Sequence, residues 1–260
     1  MTIKTKEVQK NVFFFWKEVG ETTFQAIGRF KIENPQYKDS KMCFAGRLDP
    51  LARGWLVLLV GDAVYQKDSF IKKDKVYRAS VLLGIETDTD DIFGLIEKNS
   101  LGTIDYQKSE QIISRILSEG KGYVKKFDQE FSPFSSKHVN GKALFWWATQ
   151  KRLDEIEIPK HEVEVYDFNV SQNIAICEKN TWLTEMTKRF LRIEGDFRNE
   201  EIIKGWEAAL PEYEYENLYH VEVLINASSG MYVRQLVHDI AEKINIPMTV
   251  VEITREEVVI

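Results

Sequence analysis

The chain is predicted to be an α+β protein, a sheet with helices segregated beside it, on three observations. Residues 54–60 (GWLVLLV) form an uninterrupted apolar run bounded by glycines, the pattern of a strand buried on both faces. Residues 162–170 (EVEVYDFNV) alternate charged and apolar side chains, and 219–227 do much the same, with the period of half-buried strands. Past Gly230, Val233, Leu236, Val237 and Ile240 recur at the spacing of an amphipathic helix.

The other elements follow in chain order. Residues 12–16 are a short aromatic run of strand type, and after Gly20 the pair Thr22 and Thr23 offers N-cap residues for a helix to about residue 32. Asp62 can cap a helix reaching about residue 72, and residues 76–83 alternate as a strand. The segment 87–94 (TDTDDIFG) is dense in turn formers. Helices are expected over 106–117 and 142–152, the amphipathic helix ends near Ile244 ahead of Pro247, and the last strand covers 248–253. No repeat and no Pro-rich or Gly/Ser-rich linker divides the chain, so one domain over residues 1–260 is expected.

Charge narrows the functional classes. With 35 Lys plus Arg against 41 Asp plus Glu the net charge is −6, which weighs against a protein that holds nucleic acid by bulk positive charge. The acids are concentrated, however: residues 194–222 contain nine acids and two bases, −7 in all, so the remainder sums to +1. That run is expected to be a solvated helical insertion, about residues 177–215. Cys43 and Cys177 lie far apart and there is no leading apolar segment or long uncharged span, so a cytoplasmic chain with reduced thiols and no membrane segment is expected. The four histidines and two cysteines show no ligand spacing, so no metal is expected.

The segment that carries chemistry is 45–63, AGRLDPLARGWLVLLVGDA. It presents Asp49 from a loop shaped by Gly46 and Pro50, directly ahead of a buried strand, where a carboxylate can act as nucleophile or as electrostatic stabiliser. This string resembles the catalytic motif of the TruB family of tRNA pseudouridine-55 synthases, and four further blocks match in order. WKEVGETT (16–23) keeps Lys17, Gly20 and Thr22 of the family's opening element but has Glu18 where proline is usual; DKVYR (74–78) followed by TDTDD (87–91) matches fully. QEFSPFSSKHVNGK (129–142) keeps Gln129, Ser135, Gly141 and Lys142 in register, with Phe134 for tyrosine and His138 for lysine. SSGMYVRQLVHDIA (228–241) aligns Ser228, Gly230, Tyr232, Arg234, Leu236 and Asp239.

The resemblance implies the pseudouridine synthase fold, a mixed, mainly antiparallel sheet with flanking helices and a thumb insertion, and it implies isomerisation of uridine with no cofactor and no metal. Asp49 is then the nucleophile, attacking C1′ or C6 of a nucleotide taken out of its stack. Arg234 is its cationic partner, suited to it because a guanidinium fork fixes a carboxylate's orientation. Tyr77 packs on the target base near the C5 proton. A thumb segment over 129–152 contacts the RNA through Lys137, His138 and Lys142, with aromatic residues between the cations, and Phe44, Arg47, Lys75 and Tyr232 complete the expected substrate-binding set. The implied partner is the T-arm stem-loop of tRNA, bound by a monomer.

Three departures qualify the match. Phe44 stands where the family has a histidine, and G-R-L-D with Arg47 is also the spelling of ribosomal-RNA branches of the superfamily, so a synthase for another RNA is the alternative. The family's C-terminal RNA-binding PUA domain has no counterpart before Ile260, and the acidic run replaces a short connection. Those two features motivate a third reading, an RNA-binding protein without turnover.

Overall fold

A computed structural model describes residues 4–193, 198–210 and 216–260. In chain order the elements are β1 (Thr5–Gln9), β2 (Val12–Lys17), α1 (Thr23–Glu33), β3 (Met42–Ala45), β4 (Arg53–Val60), α2 (Lys67–Ile71), β5 (Lys75–Leu83), β6 (Ile85–Thr87) and β7 (Ile96–Asn99). There follow α3 (Ser109–Gly122), β8 (Lys126–Glu130), β9 (His138–Val139), β10 (Lys142–Ala143), α4 (Leu144–Thr149) and β11 (Lys160–Val170). The chain closes with β12 (Ala175–Glu178), α5 (Lys179–Phe190), α6 (Asn199–Ala209), β13 (Asn217–Ala227), α7 (Val233–Ile244) and β14 (Met248–Val258).

The main sheet runs β1-β2-β4-β14-β5-β13-β11-β8, with β3 joined to β4 and β12 to β13. Its pairs are antiparallel except β14 with β4, which is parallel, so the sheet is mixed and mainly antiparallel as expected. The parallel contact demands a glycine. Gly54 has φ of +126°, and a Cβ there would lie 2.3 Å from the Arg255 carbonyl oxygen, so only a residue without a side chain lets the two backbones meet.

Strand alternation divides the core into two layers. Tyr77, Ala79, Val81 and Leu83 of β5 face a cluster built on Val233, Leu236, Val237 and Ile240 of α7 and Ile112 and Ile116 of α3. Leu82 faces the opposite cluster, in which α5 contributes Trp182, Met186 and Phe190 and α6 contributes Ile202 and Trp206. Each of those two short sets recurs every fourth residue, one stripe along a helix.

This second layer corrects the expectation of a solvated insertion. The acidic residues lie on outer faces, where Glu200, Glu201 and Glu207 are exposed, while the inner faces are buried against the sheet. Of the acidic run, residues 194–197 and 211–215 lie outside the described residues.

The segment 142–152 is another correction. Only Leu144–Thr149 is helical, because Lys142 and Ala143 pair with Val139 and His138 across a hairpin turned by Asn140 and Gly141, both at positive φ. Asn-Gly is the preferred pair for such a two-residue turn, and it overrides the helical pattern at its edge. The helix expected to end near residue 72 is a 3-10 stretch followed by the short α2, and the one expected over 106–117 runs later, as α3. Thr22 does cap α1, as expected, in a reciprocal arrangement with Gln25.

Candidate active site

Asp49 stands on the loop between β3 and β4, and that loop is held from below. The Lys17 ammonium, fully buried, donates to the carbonyls of Pro50 at 3.1 Å, Ala52 at 2.6 Å and Glu18 at 3.1 Å. Gly20 N–H adds a bond to the Pro50 carbonyl at 2.8 Å. Leu51 is a hydrophobic anchor in the α5–α6 cluster, and Ala52 is one in the α7 cluster. With its neighbours fixed, the Asp49 carboxylate has little freedom to move, yet it remains about half exposed.

Arg234, the second residue of α7, is 4% exposed. Its Nε and Nη2 each lie 2.9 Å from Asp49 Oδ2. Nη1 donates to the Thr89 carbonyl at 2.6 Å and reaches Ser132 Oγ at 3.4 Å. Asp91 Oδ2 lies 3.6 Å from the same Nε. Burial opposes the charge on this guanidinium, but Asp49, Asp91 and Asp90 together outweigh it and raise its pKa above the usual arginine value. Asp91 pays the reverse toll: burial pushes its carboxyl up to about 6, against the pull of Arg234. The second carboxylate is oriented by Thr89 Oγ1 at 2.8 Å and by the Phe93 N–H at 2.8 Å.

Tyr77 sits on β5 in the same core cluster as Ala52, Met231 and Val233. Arg255 joins it to the Asp49 loop: its guanidinium carbon lies 5.6 Å from the Tyr77 ring centroid, and Nη2 donates to the Arg47 carbonyl at 2.7 Å. Tyr232, the N-cap residue of α7, is fixed by Gln129, whose amide accepts from its N–H at 2.8 Å and donates to its carbonyl at 3.1 Å. Burial, then the nearby Asp49 charge, raises the Tyr232 hydroxyl's pKa. Asp49, Arg234, Tyr77 and Tyr232, spread over 185 positions of sequence, thus share one neighbourhood.

A family model described as TruB family pseudouridylate synthase (N terminal domain) matches residues 34–186. The chain belongs to the TruB family. Among similar proteins, a tRNA pseudouridine synthase B of Endomicrobium trichonymphae is 31% identical over 180 residues, covering 66% of this chain and 73% of that relative. A tRNA pseudouridine synthase B of Staphylococcus aureus (strain MSSA476) is 26% identical over 243 residues, covering 93% of this chain. The chain spans 64% of the length of that second relative. The fold resembles a chain in the crystal structure of a Cbf5-Nop10-Gar1 complex, with a TM-score of 0.50 and 14% identity over 95% of this chain and 48% of that one.

Membership of the TruB family assigns the blocks around Asp49 and Tyr77 to the matched region, and the remaining expected residues divide by position. Arg47, Lys137, His138 and Lys142 are exposed and free to meet a macromolecule. Lys137 Nζ lies 4.8 Å from the Phe131 ring centroid and Lys142 Nζ 5.1 Å from that of Trp146. Trp147 is buried and donates to the Val139 carbonyl at 3.1 Å, which docks α4 on its hairpin.

Two expected substrate contacts are elsewhere. Phe44 is buried on β3 beside Phe15, with ring centroids 6.3 Å apart, so its ring serves packing. Lys75 is 4% exposed and donates to the Ile71 carbonyl at 2.6 Å, closing the end of α2; burial lowers its pKa to about 8. An apolar side chain on an inward-facing strand position and a lysine stem along the sheet both gain more from burial than a solvent-facing role would give. Conversely, Asp91, Ser132 and Arg255 belong to the site although no role was expected of them. For Asp91 the signal was the TDTDD string itself; the antiparallel β14–β5 pairing that brings Arg255 opposite Tyr77 left no local trace.

Among the described residues no group of three or more His, Cys, Asp or Glu stands where a metal ion could be held. Also among them, no helix is long and apolar enough to cross a membrane.

Proposed function

We propose that this chain is a pseudouridine synthase that isomerises a uridine in structured RNA, the T-arm uridine at position 55 of tRNA, with Asp49 as nucleophile. The observation that carries the reading is the Asp49–Arg234 pair: a half-exposed carboxylate on a pinned loop, held through one oxygen by a buried guanidinium. An ionised, oriented carboxylate beside a fixed cation is what attack on a flipped-out nucleotide requires. The reaction breaks the N1–C1′ bond, turns the uracil and joins C5 to C1′; the C5 proton leaves and N1 gains one, so no cofactor is consumed.

In this scheme Tyr77 packs against the base and attends the C5 proton. Arg47 and Tyr232 border the nucleotide, and Lys137, His138 and Lys142 meet phosphates along the thumb, acting as a monomer on one stem-loop. The names of the relatives support tRNA as the substrate class. The test is tritium release from tRNA labelled at C5 of uridine: wild type releases the label, Asp49→Asn does not, and retained release by the variant removes Asp49 from the role.

A synthase for another RNA is the second reading, favoured by exposed Arg47 in the G-R-L-D loop and by Phe44 at the family's histidine position. Pseudouridine mapping of total RNA with and without the protein separates the two, since an unchanged T-arm leaves only the second.

A further inference from the structure

The α5–α6 hairpin reaches the site at two points of one loop. The loop 88–92 supplies two further groups to Arg234: the Thr89 carbonyl at Nη1 and the Asp91 carboxylate near Nε. On either side of them the hairpin takes hold. Arg198, just ahead of α6, places Nη1 2.6 Å from Asp88 Oδ2 and Nη2 3.3 Å from Oδ1. Trp206, fully buried in α6, donates its indole N–H to the Ile92 carbonyl at 3.1 Å.

The loop between these two grips is held from β14, where Val250 N–H donates to the Asp90 carbonyl and Ile92 N–H to the Val250 carbonyl, each at 3.0 Å. Asp90 has φ of 60°, a left-handed conformation that costs a non-glycine residue on the order of 1 kcal/mol and persists where surroundings enforce it. The hairpin supplies that enforcement from one side. It also supports the nucleophile's loop, because Leu51, two positions after Asp49, packs into the cluster of Trp182, Phe190 and Trp206. The Arg198 guanidinium carbon lies 4.9 Å from the Phe134 ring centroid, which ties the same hairpin to the base of the thumb near Ser132.

We infer that Arg198 and Trp206 are positioning residues for the Asp49–Arg234 pair, and that the α5–α6 hairpin is an interior brace of the active site. This rests on the reading of Asp49 and Arg234 given above. Their effect is exerted through the loop, so it falls on the chemical step and leaves RNA affinity alone; Trp206, which bonds the loop at Ile92, separates this route from the Arg198–Phe134 contact at the thumb.

The experiment compares wild type with Arg198→Met, Arg198→Lys, Asp88→Asn, Trp206→Phe and the Arg198→Met/Asp88→Asn double variant. Single-turnover tritium release, tRNA affinity by filter binding and thermal unfolding are measured on each. Trp206→Phe keeps an aromatic ring and removes the N–H donor; Arg198→Lys keeps the charge and loses the fork. Single-turnover rates are expected to fall about tenfold for Arg198→Met and Trp206→Phe, with tRNA affinity within twofold of wild type. Arg198→Lys should recover part of the loss, and the double variant should be no slower than the worse single one, since both remove one interaction. Glu207→Gln, an exposed change on the same hairpin, should match wild type.

Unchanged rates in Arg198→Met and Trp206→Phe overturn the inference. So does a loss of affinity at unchanged rate, which would make the hairpin an RNA-contacting element. Should Trp206→Phe fail to fold, Arg198→Met decides alone, since its side chain is partly exposed. Wild type and Asp49→Asn run alongside: an inactive wild type, or an active Asp49→Asn, overturns the proposed function, whereas an active wild type with unaffected Arg198→Met and Trp206→Phe overturns only the brace.

Discussion

Arg234 directs two of its nitrogens, Nε and Nη2, at the same oxygen of Asp49, Oδ2, each from 2.9 Å. A fork spread over both oxygens would hold the carboxylate flat against the guanidinium; here both nitrogens approach a single oxygen. Nη1 is engaged separately by the Thr89 carbonyl, so the guanidinium is fixed at three nitrogens and the carboxylate at one oxygen.

Replacing that fork is therefore expected to be costly even when the charge is kept. Lysine can present one ammonium to Asp49 but cannot also span Thr89, and Arg234→Lys should lower the single-turnover rate about 100-fold, the scale of losing one preorganised electrostatic contact. Arg234→Met leaves Asp91 buried without its counter-charge, and should cost roughly 3–5 kcal/mol of stability, read by urea unfolding.

The Lys17 ammonium is the tether beneath the loop, and its burial lowers its pKa to about 8. Lys17→Met removes the donor shared by three carbonyls; Pro50 keeps the Gly20 N–H and Glu18 the Glu21 N–H, while Ala52 loses its 2.6 Å bond. Stability should fall by roughly 2 kcal/mol, and the rate of tritium release should fall with it at a temperature where the variant remains folded.

His238 gives a pH signature of opposite sign to that of a buried lysine. Its Nδ1 lies 2.9 Å from Asp90 Oδ1, and the bond to Asp90 raises the imidazole pKa from 6.5 to about 9. A raised basic pKa means the folded state binds the proton more tightly, so the stabilisation is complete below pH 6.5 and vanishes as pH passes 9. The stability difference between wild type and His238→Gln should therefore shrink steadily from pH 6.5 to 9 in urea titrations; a constant difference would show that the ring contributes by packing alone.

How much of this was legible in sequence depends on how local each interaction is. The buried strand β4, the alternating strands β11 and β13 and the amphipathic α7 were readable because their periods are written in consecutive residues. The pairing of Asp49 with Arg234 was readable from motif blocks. The inward stripe of α6 was hidden by the acids on its outer face, because a charge count averages over both sides of a helix. Arg198 and Asp88 are 110 positions apart, and no local pattern announces their meeting. The Asn140–Gly141 turn was the reverse case, a strong local signal obscured by reading the neighbouring aromatic residues as one longer helix.

Gly54 tests the crossing of β4 and β14. An added Cβ would stand 2.3 Å from the Arg255 carbonyl oxygen and 2.5 Å from its nitrogen, where backbone has to move. Gly54→Ala should cost roughly 3 kcal/mol or more through strain and overpacking. Gly61→Ala is the matched control, also at positive φ but with nothing within 4 Å of the new carbon, and should cost about 1 kcal/mol. Near-equal melting temperatures for the two would mean the parallel contact yields more readily than its geometry indicates.

The thumb makes a quantitative prediction about salt. Lys142 is exposed, and its ammonium lies 5.1 Å from the Trp146 ring centroid. A lysine that neutralises one phosphate releases its condensed counterions, so removing it should lower the magnitude of the slope of log K against log salt concentration by about 0.9 on a helical stem. Lys142→Ala is expected to produce that change on a tRNA T-arm minihelix, and Lys137→Ala to do the same. An affinity loss at unchanged slope would instead assign Lys142 to the Trp146 face, where its contribution would be the packing of the thumb itself.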